Sequence, residues 1–254
     1  MGFLNKLGLT IGTGAVRVGT RPLPYSRDNG NGNGNGGGTL RAIGPNRAPE
    51  PQESTRISNG LKEFLWNLEG LGRGTLLDLG PAWQTTISFF IERGFRVTSD
   101  DILRGWSDFM KEQELLSSNL PLKEEDYLER TPEARTKKFL EENLQFPVSS
   151  FDALLLWDVL DYLEPGVAKQ MVAHLEEMLR PGGVVFAMFH SKKPEGFQRY
   201  RVAGSSTLQV LSAKPICSAQ KVYQNREIQG LFGNCRTIKT FIGRDQLRET
   251  LFLK

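Results

Sequence analysis

The sequence predicts an α/β fold built on a Rossmann-like, doubly wound sheet that is mainly parallel. Two observations lead to this prediction. Residues 75 to 101 are typical of a strand, a tight turn, a helix and a second strand that ends in acidic side chains. Two later segments, 151–157 and 184–189, are nearly continuous apolar runs, as expected for strands covered by helices on both faces of a sheet. Strands that alternate with helices indicate parallel βα units.

The first of these units predicts a nucleotide-type pocket. A leucine-rich run ends at Gly80-Pro81, and the helix that follows ends at Gly94. The second strand then reaches Asp100 and Asp101. In an open parallel sheet, ligands bind at the carboxyl ends of the strands, where an acid after the second strand can hold ribose hydroxyls. We therefore expect the turn and the acid pair to lie side by side.

The remaining elements are predicted from periodicity and from turn residues. An apolar face at helical spacing predicts a helix over residues 55–70. The charged segment 103–142 is predicted to form helices, either as an inserted lid over a substrate pocket or as a solvated crossover. Pro165, in a first turn, begins another helix. The other predicted elements are a third strand at 143–147, a turn at 180–183, strands at 206–211, 236–242 and 247–253, and a helix at 227–232.

Residues 1–53 are predicted to be a disordered tail and linker, and residues 54–254 the folded domain. The tail contains the repeat NGNGNGGG followed by APEPQE, a composition that cannot offset its ordering entropy by burial. Its glycines do not predict a phosphate-binding loop, because no strand precedes them and no helix follows them.

Charge and cysteine content exclude several classes of function. The chain has a formal charge of +3, but residues 1–50 alone carry +4, so the remainder is close to neutral. This balance argues against a nucleic-acid partner. The two cysteines form no C-x-x-C pair, which argues against a disulfide scaffold or zinc site and favours a cytoplasmic location. No apolar run reaches the roughly 18 residues of a membrane span, and nothing indicates an oligomeric state.

Three segments resemble motifs of the class I S-adenosylmethionine-dependent methyltransferases, and they occur in that family's order. They are residues 75–101, FDALLLWDVLDYL at 151–163, and MLRPGGVVFAMFH at 178–190. The resemblance implies seven strands with an antiparallel strand near the C-terminus. It also implies S-adenosylmethionine as cofactor and methyl transfer to a small-molecule or protein acceptor. Such a transfer depends on positioning an already activated methyl group, so no catalytic triad or metal site is expected.

The sequence departs from this family in its glycine turn, which usually reads D-x-G-x-G-x-G. The corresponding positions here are Asp78, Gly80, Ala82 and Gln84, with Pro81 after the first glycine. Ala82 adds a methyl group, and proline removes a backbone donor. A second hypothesis is therefore a binding or regulatory protein of the same fold without catalysis. A third, another doubly wound enzyme such as an oxidoreductase, lacks the G-x-G-x-x-G that should follow the first strand.

The resemblance also assigns roles to individual residues. The turn, with Asp78, Gly80, Pro81 and Ala82, would pass the methionine part of the cofactor. Asp101 would bind the ribose hydroxyls, with Asp100 as the alternative, and the adenine contact would fall on Glu141 or Glu142. Trp157 and Asp158 would line the reaction end.

One histidine lies where the last buried parallel strand is predicted to end. His190 follows this strand on the pocket side of the sheet. It is a candidate general base, and the alternative is a solvent-facing loop histidine.

Overall fold

The structure is a computed structural model that describes residues 53–119 and 131–254. Of the predicted tail 1–53, only Glu53 falls within these residues, and part of the 103–142 segment, residues 120–130, falls outside them. The strands are β1 Glu53–Ile57, β2 Gly74–Asp78, β3 Phe95–Ser99, β4 Phe151–Trp157, β5 Leu179–His190, β6 Gln198–Gly204, β7 Thr207–Ser212, β8 Arg236–Ile242 and β9 Leu247–Leu253. The helices are α1 Asn59–Asn67, α2 Gln84–Ile91, α3 Ile102–Asn119, α4 Pro132–Asn143, α5 Pro165–Met178 and α6 Asn225–Leu231, and a 3₁₀ turn spans Val159–Tyr162.

The main sheet has the order β3-β2-β4-β5-β9-β8. Strands β3, β2, β4 and β5 are parallel, and β9 runs antiparallel to both of its neighbours. The predicted Rossmann-like, mainly parallel sheet with an antiparallel strand near the C-terminus is therefore confirmed.

The predicted number of seven strands is wrong, because the described part of the main sheet has six. The missing strand is the one expected at 143–147. Asn143 is the last residue of α4, and Leu144 closes that helix by donating its backbone N–H to Leu140 at 2.9 Å. The side chain of Leu144 is buried in the core. Helix capping and burial therefore hold the start of this segment in a non-extended conformation.

The sheet is covered on both faces, which explains why the β4 run is apolar throughout. On one face, Leu77, Leu154 and Val185 belong to a core cluster with residues of α3, α4, α5 and α6. On the other face, Leu76 and Phe186 belong to a cluster with residues of α1, α2, β6 and β7. Successive strand residues point to opposite faces, so both must be apolar when helices cover each side.

A second, three-stranded antiparallel sheet was not predicted from the sequence. Its order is β1-β7-β6, and Ile57 pairs with Thr207. The predicted helix over 55–70 is therefore wrong at its start, where residues 53–57 form a strand. The helix begins only after Ser58, whose side chain accepts the N–H of Leu61 at 2.9 Å. Pairing with a distant strand overrides the apolar periodicity here.

The predicted turn at 180–183 lies inside β5. Phe151 pairs with Leu179 and Ala153 with Val184, so the intervening residues bulge out of the ladder. Gly182 has a φ of 79° within this bulge. The turn residues thus predict a real backbone irregularity, but it interrupts the strand register and does not end the strand.

The described helices of the 103–142 segment contribute side chains to the core of the domain. Phe109 of α3 and Phe139 of α4 are buried in the first core cluster, with ring centroids 5.4 Å apart. None of the helices in the described ranges combines the length and the apolar character needed to cross a bilayer.

Candidate functional site

Asp78 lies at the centre of the carboxyl edge of the sheet, where β2 ends. Its side chain is fully buried, and Oδ1 accepts hydrogen bonds from the N–H of Gly80 at 3.0 Å and from Nε1 of Trp157 at 2.7 Å. Its carbonyl accepts the N–H of Asp100 at 2.8 Å. Burial raises the pKa of Asp78 to about 6, although the two hydrogen bonds oppose this shift. The structure thus brings together the predicted turn, the end of β3 and the end of β4.

Gly80 is required by the packing of the turn against Trp157. A Cβ at this position would lie 2.6 Å from Nε1 of Trp157, which is shorter than any van der Waals contact. The family resemblance places this turn against the methionine part of a cofactor, whereas the close neighbour of Gly80 in this structure is a side chain of the chain itself.

The rest of the turn tolerates its non-glycine residues. Among the described non-glycine residues, only Ser149, Trp157 and Gln246 have a positive φ, so Ala82 carries no left-handed strain. Ala82 and Gln84 are exposed, and Gln84 opens α2 with its side chain bonded to Ser88 at 2.9 Å. Replacement of the second and third glycines of the motif therefore creates no clash in this turn.

Trp157, the last residue of β4, covers this turn. It is 3% exposed and adopts a φ of 49°, an uncommon conformation for a bulky residue that frequently marks functional sites. Its ring stacks on Tyr200 of β6, with centroids 6.1 Å apart and planes at 13°. The backbone bend at the end of β4 thus directs the indole over the turn and under β6.

Asp101, the predicted ribose ligand, is paired with an arginine. Nη2 of Arg199, on β6, lies 2.9 Å from both carboxylate oxygens of Asp101. Arg199 is itself buried, and Asp101 is only partly exposed. The carboxylate lies where the sequence predicts it, and within this structure it is bound to Arg199.

The end of β5 forms an acid–histidine cluster. Both the backbone N–H of His190, at 2.6 Å, and its ring Nδ1, at 2.9 Å, are bonded to Oδ2 of Asp161. Nε2 lies 3.8 Å from Oδ2 of Asp158. All three residues are buried. The alternative of a solvent-facing histidine is therefore wrong, and His190 is oriented by a carboxylate on one side and faces a second carboxylate on the other.

All three groups of this cluster have raised pKa values. Burial opposes a charge on His190, but the hydrogen bond to Asp161 and the proximity of Asp158 outweigh it, so the pKa of His190 is raised. Burial raises the pKa of Asp158 to about 7 despite the opposing influence of His190. Within the described residues, no group donates a hydrogen bond to Oδ2 of Asp158. Strongly shifted groups that share a buried site are typical of functional centres.

A cavity of about 250 Å³ opens beside His190. Its lining includes Lys192, Lys193, Gln198 and Asp245. Since His190 is shared between this cavity and the buried acid pair, it connects an accessible space to the edge of the sheet. Glu141 and Glu142, the two predicted adenine ligands, are exposed on α4, where Glu141 pairs with Lys137 at 3.8 Å.

The sequence prediction missed Arg199, Tyr200 and Asp161. The signal for β6 was present, because Tyr200 and Val202 alternate with polar residues in QRYRV. Asp161 lies four residues after Trp157 in a segment that the sequence assigned to the pocket, but its contact with His190 depends on the tertiary structure.

No protein-family profile matches this sequence, and no curated protein sequence matches it at a significant level. Solved structures with a similar fold include the Burkholderia thailandensis 1,6-didemethyltoxoflavin-N1-methyltransferase with bound 1,6-didemethyltoxoflavin and S-adenosylhomocysteine (16% identity, TM-score 0.43, 78% of this chain and 79% of that chain). An S-adenosylmethionine-dependent methyltransferase from Mesorhizobium loti is 13% identical (TM-score 0.43, 76% of this chain and 96% of that chain). A third, from Aquifex aeolicus, is also 13% identical (TM-score 0.40, 78% and 90%). These are likenesses of fold, and the strand order of this chain establishes its Rossmann-like sheet independently.

Proposed function

We propose that residues 54–254 form an S-adenosylmethionine-dependent methyltransferase that acts on a small molecule or a protein. The observation that carries the proposal is the convergence of three strand ends at Asp78. Its carbonyl is bonded to Asp100 after β3, and its side chain is bonded to Trp157 at the end of β4. In parallel sheets of this kind, ligands bind outside the carboxyl ends of the strands.

The polar atoms around this point fit such a cofactor. Four buried atoms there make no hydrogen bond within the described residues: Oδ2 of Asp78, Nε1 of Trp83, Oγ of Ser99 and Oδ2 of Asp158. They lie at the end of β2, before α2, and at the ends of β3 and β4. Folded proteins leave few buried polar atoms unpaired, and each one calls for an explanation. A ligand that has an ammonium, a carboxylate and ribose hydroxyls carries both the donors and the acceptors that this set needs.

The residues of the chain divide between cofactor binding and proton transfer. When bound, S-adenosylmethionine supplies a methyl group activated by its sulfonium charge. Asp101, with Asp100 as the alternative, would bind the ribose hydroxyls, and the turn from Asp78 to Ala82 would lie against the methionine part. Trp157 and Asp158 would line the reaction end. Their role is to hold the methyl group and the acceptor atom in line.

His190 would act as the general base toward an acceptor in the adjoining cavity. In that role, Nε2 of His190 would take the proton that the acceptor atom loses when it is methylated. Asp161 holds Nδ1 at 2.9 Å and stabilises the imidazolium that results. Because the pKa of His190 is raised, the neutral form required for this step becomes the major form only at a pH above the ordinary imidazole pKa of 6.5.

A different observation supports a second candidate, a binding or regulatory protein of this fold without catalysis. Arg199 is bonded to Asp101, and Trp157 packs directly on Gly80 under Tyr200. If these contacts are permanent, the edge of the sheet is closed to a nucleoside, and the fold would be used for another purpose.

Calorimetric titration of the full chain with S-adenosylmethionine and S-adenosylhomocysteine distinguishes the two candidates. We expect binding of both, weakened by about 1–3 kcal/mol in Asp101→Ala, the scale of a lost hydrogen bond to a charged group. Asp100→Ala tests the alternative assignment, and Asp108→Ala, at an exposed acid on α3, is the control. A folded wild type that gives no heat with either compound at millimolar concentration would rule out the methyltransferase and leave the second candidate.

A further inference from the structure

We infer that Arg199 competes with the cofactor for Asp101 and moves to Asp158 when the cofactor binds. The inference rests on the proposed function, because it takes Asp101 as the carboxylate that binds the ribose hydroxyls. Arg199 would then be a positioning residue that sets cofactor affinity and connects the cofactor to the acceptor side of the site.

Asp101 cannot bind Arg199 and the ribose hydroxyls fully at the same time. Nη2 of Arg199 lies 2.9 Å from each of its oxygens, so the arginine takes up the face that the two oxygens share. Arg104 adds a second, more distant cation at 3.8 Å. Two ribose hydroxyls would need the same pair of oxygens. A bound cofactor must therefore displace the guanidinium, and the free energy of that displacement is subtracted from the affinity.

The side chain of Arg199 can leave Asp101 without unfolding β6. Its backbone belongs to β6, where Arg199 pairs with Leu211, and the N–H of Val202 is bonded to Oγ1 of Thr86 on α2 at 2.9 Å. Tyr200 is held by its stack on Trp157. These contacts fix the strand at Arg199 and at the residues that follow it. Rotation of one side chain is enough to vacate Asp101, because a long arginine side chain reaches several positions from one backbone site.

Asp158 offers a second position for the guanidinium of Arg199. Asp158 is buried, its Oδ2 receives no hydrogen bond within the described residues, and its closest cation is Nε2 of His190 at 3.8 Å. Arg199 lies near enough that its charge already opposes the rise in the pKa of Asp158. Its guanidinium also rests 4.9 Å from the ring of Phe197. Oδ2 of Asp158 is therefore a nearby acceptor atom that receives no hydrogen bond within the described residues, and it can bind the guanidinium that Asp101 releases.

Movement of Arg199 from Asp101 to Asp158 would connect the cofactor side of the site with the acceptor side. While Arg199 is on Asp101, Asp158 lacks a hydrogen-bonded cation. Once the cofactor has bound to Asp101, Arg199 pairs with Asp158. This pairing reduces the electrostatic stabilisation that Asp158 gives to protonated His190. The proton affinity of His190 then falls, so a larger fraction of His190 is in the neutral form that can accept a proton from the acceptor.

The test measures S-adenosylhomocysteine affinity by calorimetry in the full chain, for wild type, Arg199→Gln and Arg201→Gln. Arg201 is the matched control, since it lies two residues along β6 and pairs with Gln209 at 2.7 Å and Glu53 at 3.4 Å, away from Asp101. We expect Arg199→Gln to bind about tenfold more tightly than wild type, equivalent to about 1.4 kcal/mol, and Arg201→Gln to bind as wild type does. Adding Asp101→Asn should remove the gain.

The outcomes separate the inference from the proposed function. Wild type that binds while Arg199→Gln binds equally or more weakly would overturn the competition. Absence of binding in both proteins would overturn the proposed function itself. Binding by Arg199→Gln alone would support the competition for Asp101 and overturn the proposed function, because the wild type would not bind the cofactor. Should Arg199→Gln fail to fold, Arg199→Lys provides the same comparison with a smaller expected gain, because a single ammonium holds the carboxylate less firmly. Equal or weaker binding by Arg199→Lys would again overturn the competition.

Discussion

Nε1 of Trp157 lies 2.7 Å from Oδ1 of Asp78, so a hydrogen bond between two buried side chains joins the end of β4 to the end of β2. The same carboxylate oxygen also accepts the N–H of Gly80. Asp78 thus organises the turn, and the stability of the turn depends on Trp157, which lies far along the chain.

We expect Trp157→Phe to lower the free energy of unfolding by about 1–3 kcal/mol, because it removes the indole donor from a buried carboxylate. The control is Trp66→Phe, since Trp66 is 64% exposed and its replacement should change stability by less than about 0.5 kcal/mol. Urea denaturation measures both variants. Equal effects at the two positions would contradict the importance of the Trp157–Asp78 hydrogen bond.

Gly80→Ala is expected to destabilise the protein, because the new methyl group would lie 2.6 Å from Nε1 of Trp157. The matched control is Gly72→Ala, where an added methyl group would meet nothing within 4 Å. We expect a loss on the order of 1–3 kcal/mol at Gly80, typical of overpacking, and little change at Gly72. In a double-mutant cycle, Trp157→Ala should relieve most of the Gly80→Ala cost, and strict additivity would refute this explanation.

Asp158→Asn should make the protein more stable, increasingly so as pH rises. The pKa of Asp158 is raised from 3.8 to about 7 in the folded state, so the unfolded chain ionises first. The folded state therefore loses stability across that interval, by at most about 1.4 kcal/mol per pH unit, and the loss is complete above pH 7. The asparagine variant lacks this loss. Unfolding free energies at several pH values between 4 and 8 measure the difference, and a constant difference would contradict the burial argument.

Asp152→Asn should show the opposite pH dependence. Burial opposes ionisation of Asp152, but Arg180, at 2.6 Å, and hydrogen bonds from Thr75 outweigh it and lower its pKa. Its stabilising contribution is present above the ordinary pKa of 3.8 and disappears as pH falls through the lower folded value. The variant should therefore be less stable than wild type at pH 7, and the deficit should shrink on acidification. A deficit that grows in acid would show that the Arg180 pair does not hold this carboxylate.

His190 should titrate above its ordinary pKa of 6.5. The protein has only two histidines, so NMR titration of the imidazole signals resolves it, with His174→Gln providing the assignment. Asp161→Asn should lower the pKa of His190, because burial then acts with less opposition from a charged partner. An unchanged titration in that variant would show that Asp161 does not control the proton on His190.

The fold around the site was predictable where the signals are local. The leucine-rich run, Gly80 and Gly94 define β2, α2 and β3, and the apolar run of β4 reflects coverage of both faces of the sheet. The positions of the site residues followed from the topology of the sheet, because the carboxyl ends of neighbouring parallel strands lie at the same edge. This is why Asp78, Asp101 and Trp157 could be assigned to one region before the structure was known.

The remainder depended on pairings between distant parts of the chain. Glu53 pairs with Leu211, and no local pattern distinguishes such a strand from the start of the adjacent helix. Likewise, Arg199 is an ordinary arginine in the sequence, and only the docking of β6 on α2 brings it to Asp101. The protonation state of His190 could not be predicted either, since it depends on which carboxylates are buried beside it.

The pairing of β1 with β7 joins two segments that are far apart in the sequence and are therefore synthesised at different times. The ribosome makes β1 first, but its partner residues, Thr207 to Leu211, emerge only after β2 to β6. Closing so long a loop is slow, and contacts of this kind generally form late. The turn at Asp78 and the acid at Asp101 leave the ribosome well before β6 does. During that interval, the nascent chain carries Asp101 without the arginine that later covers it.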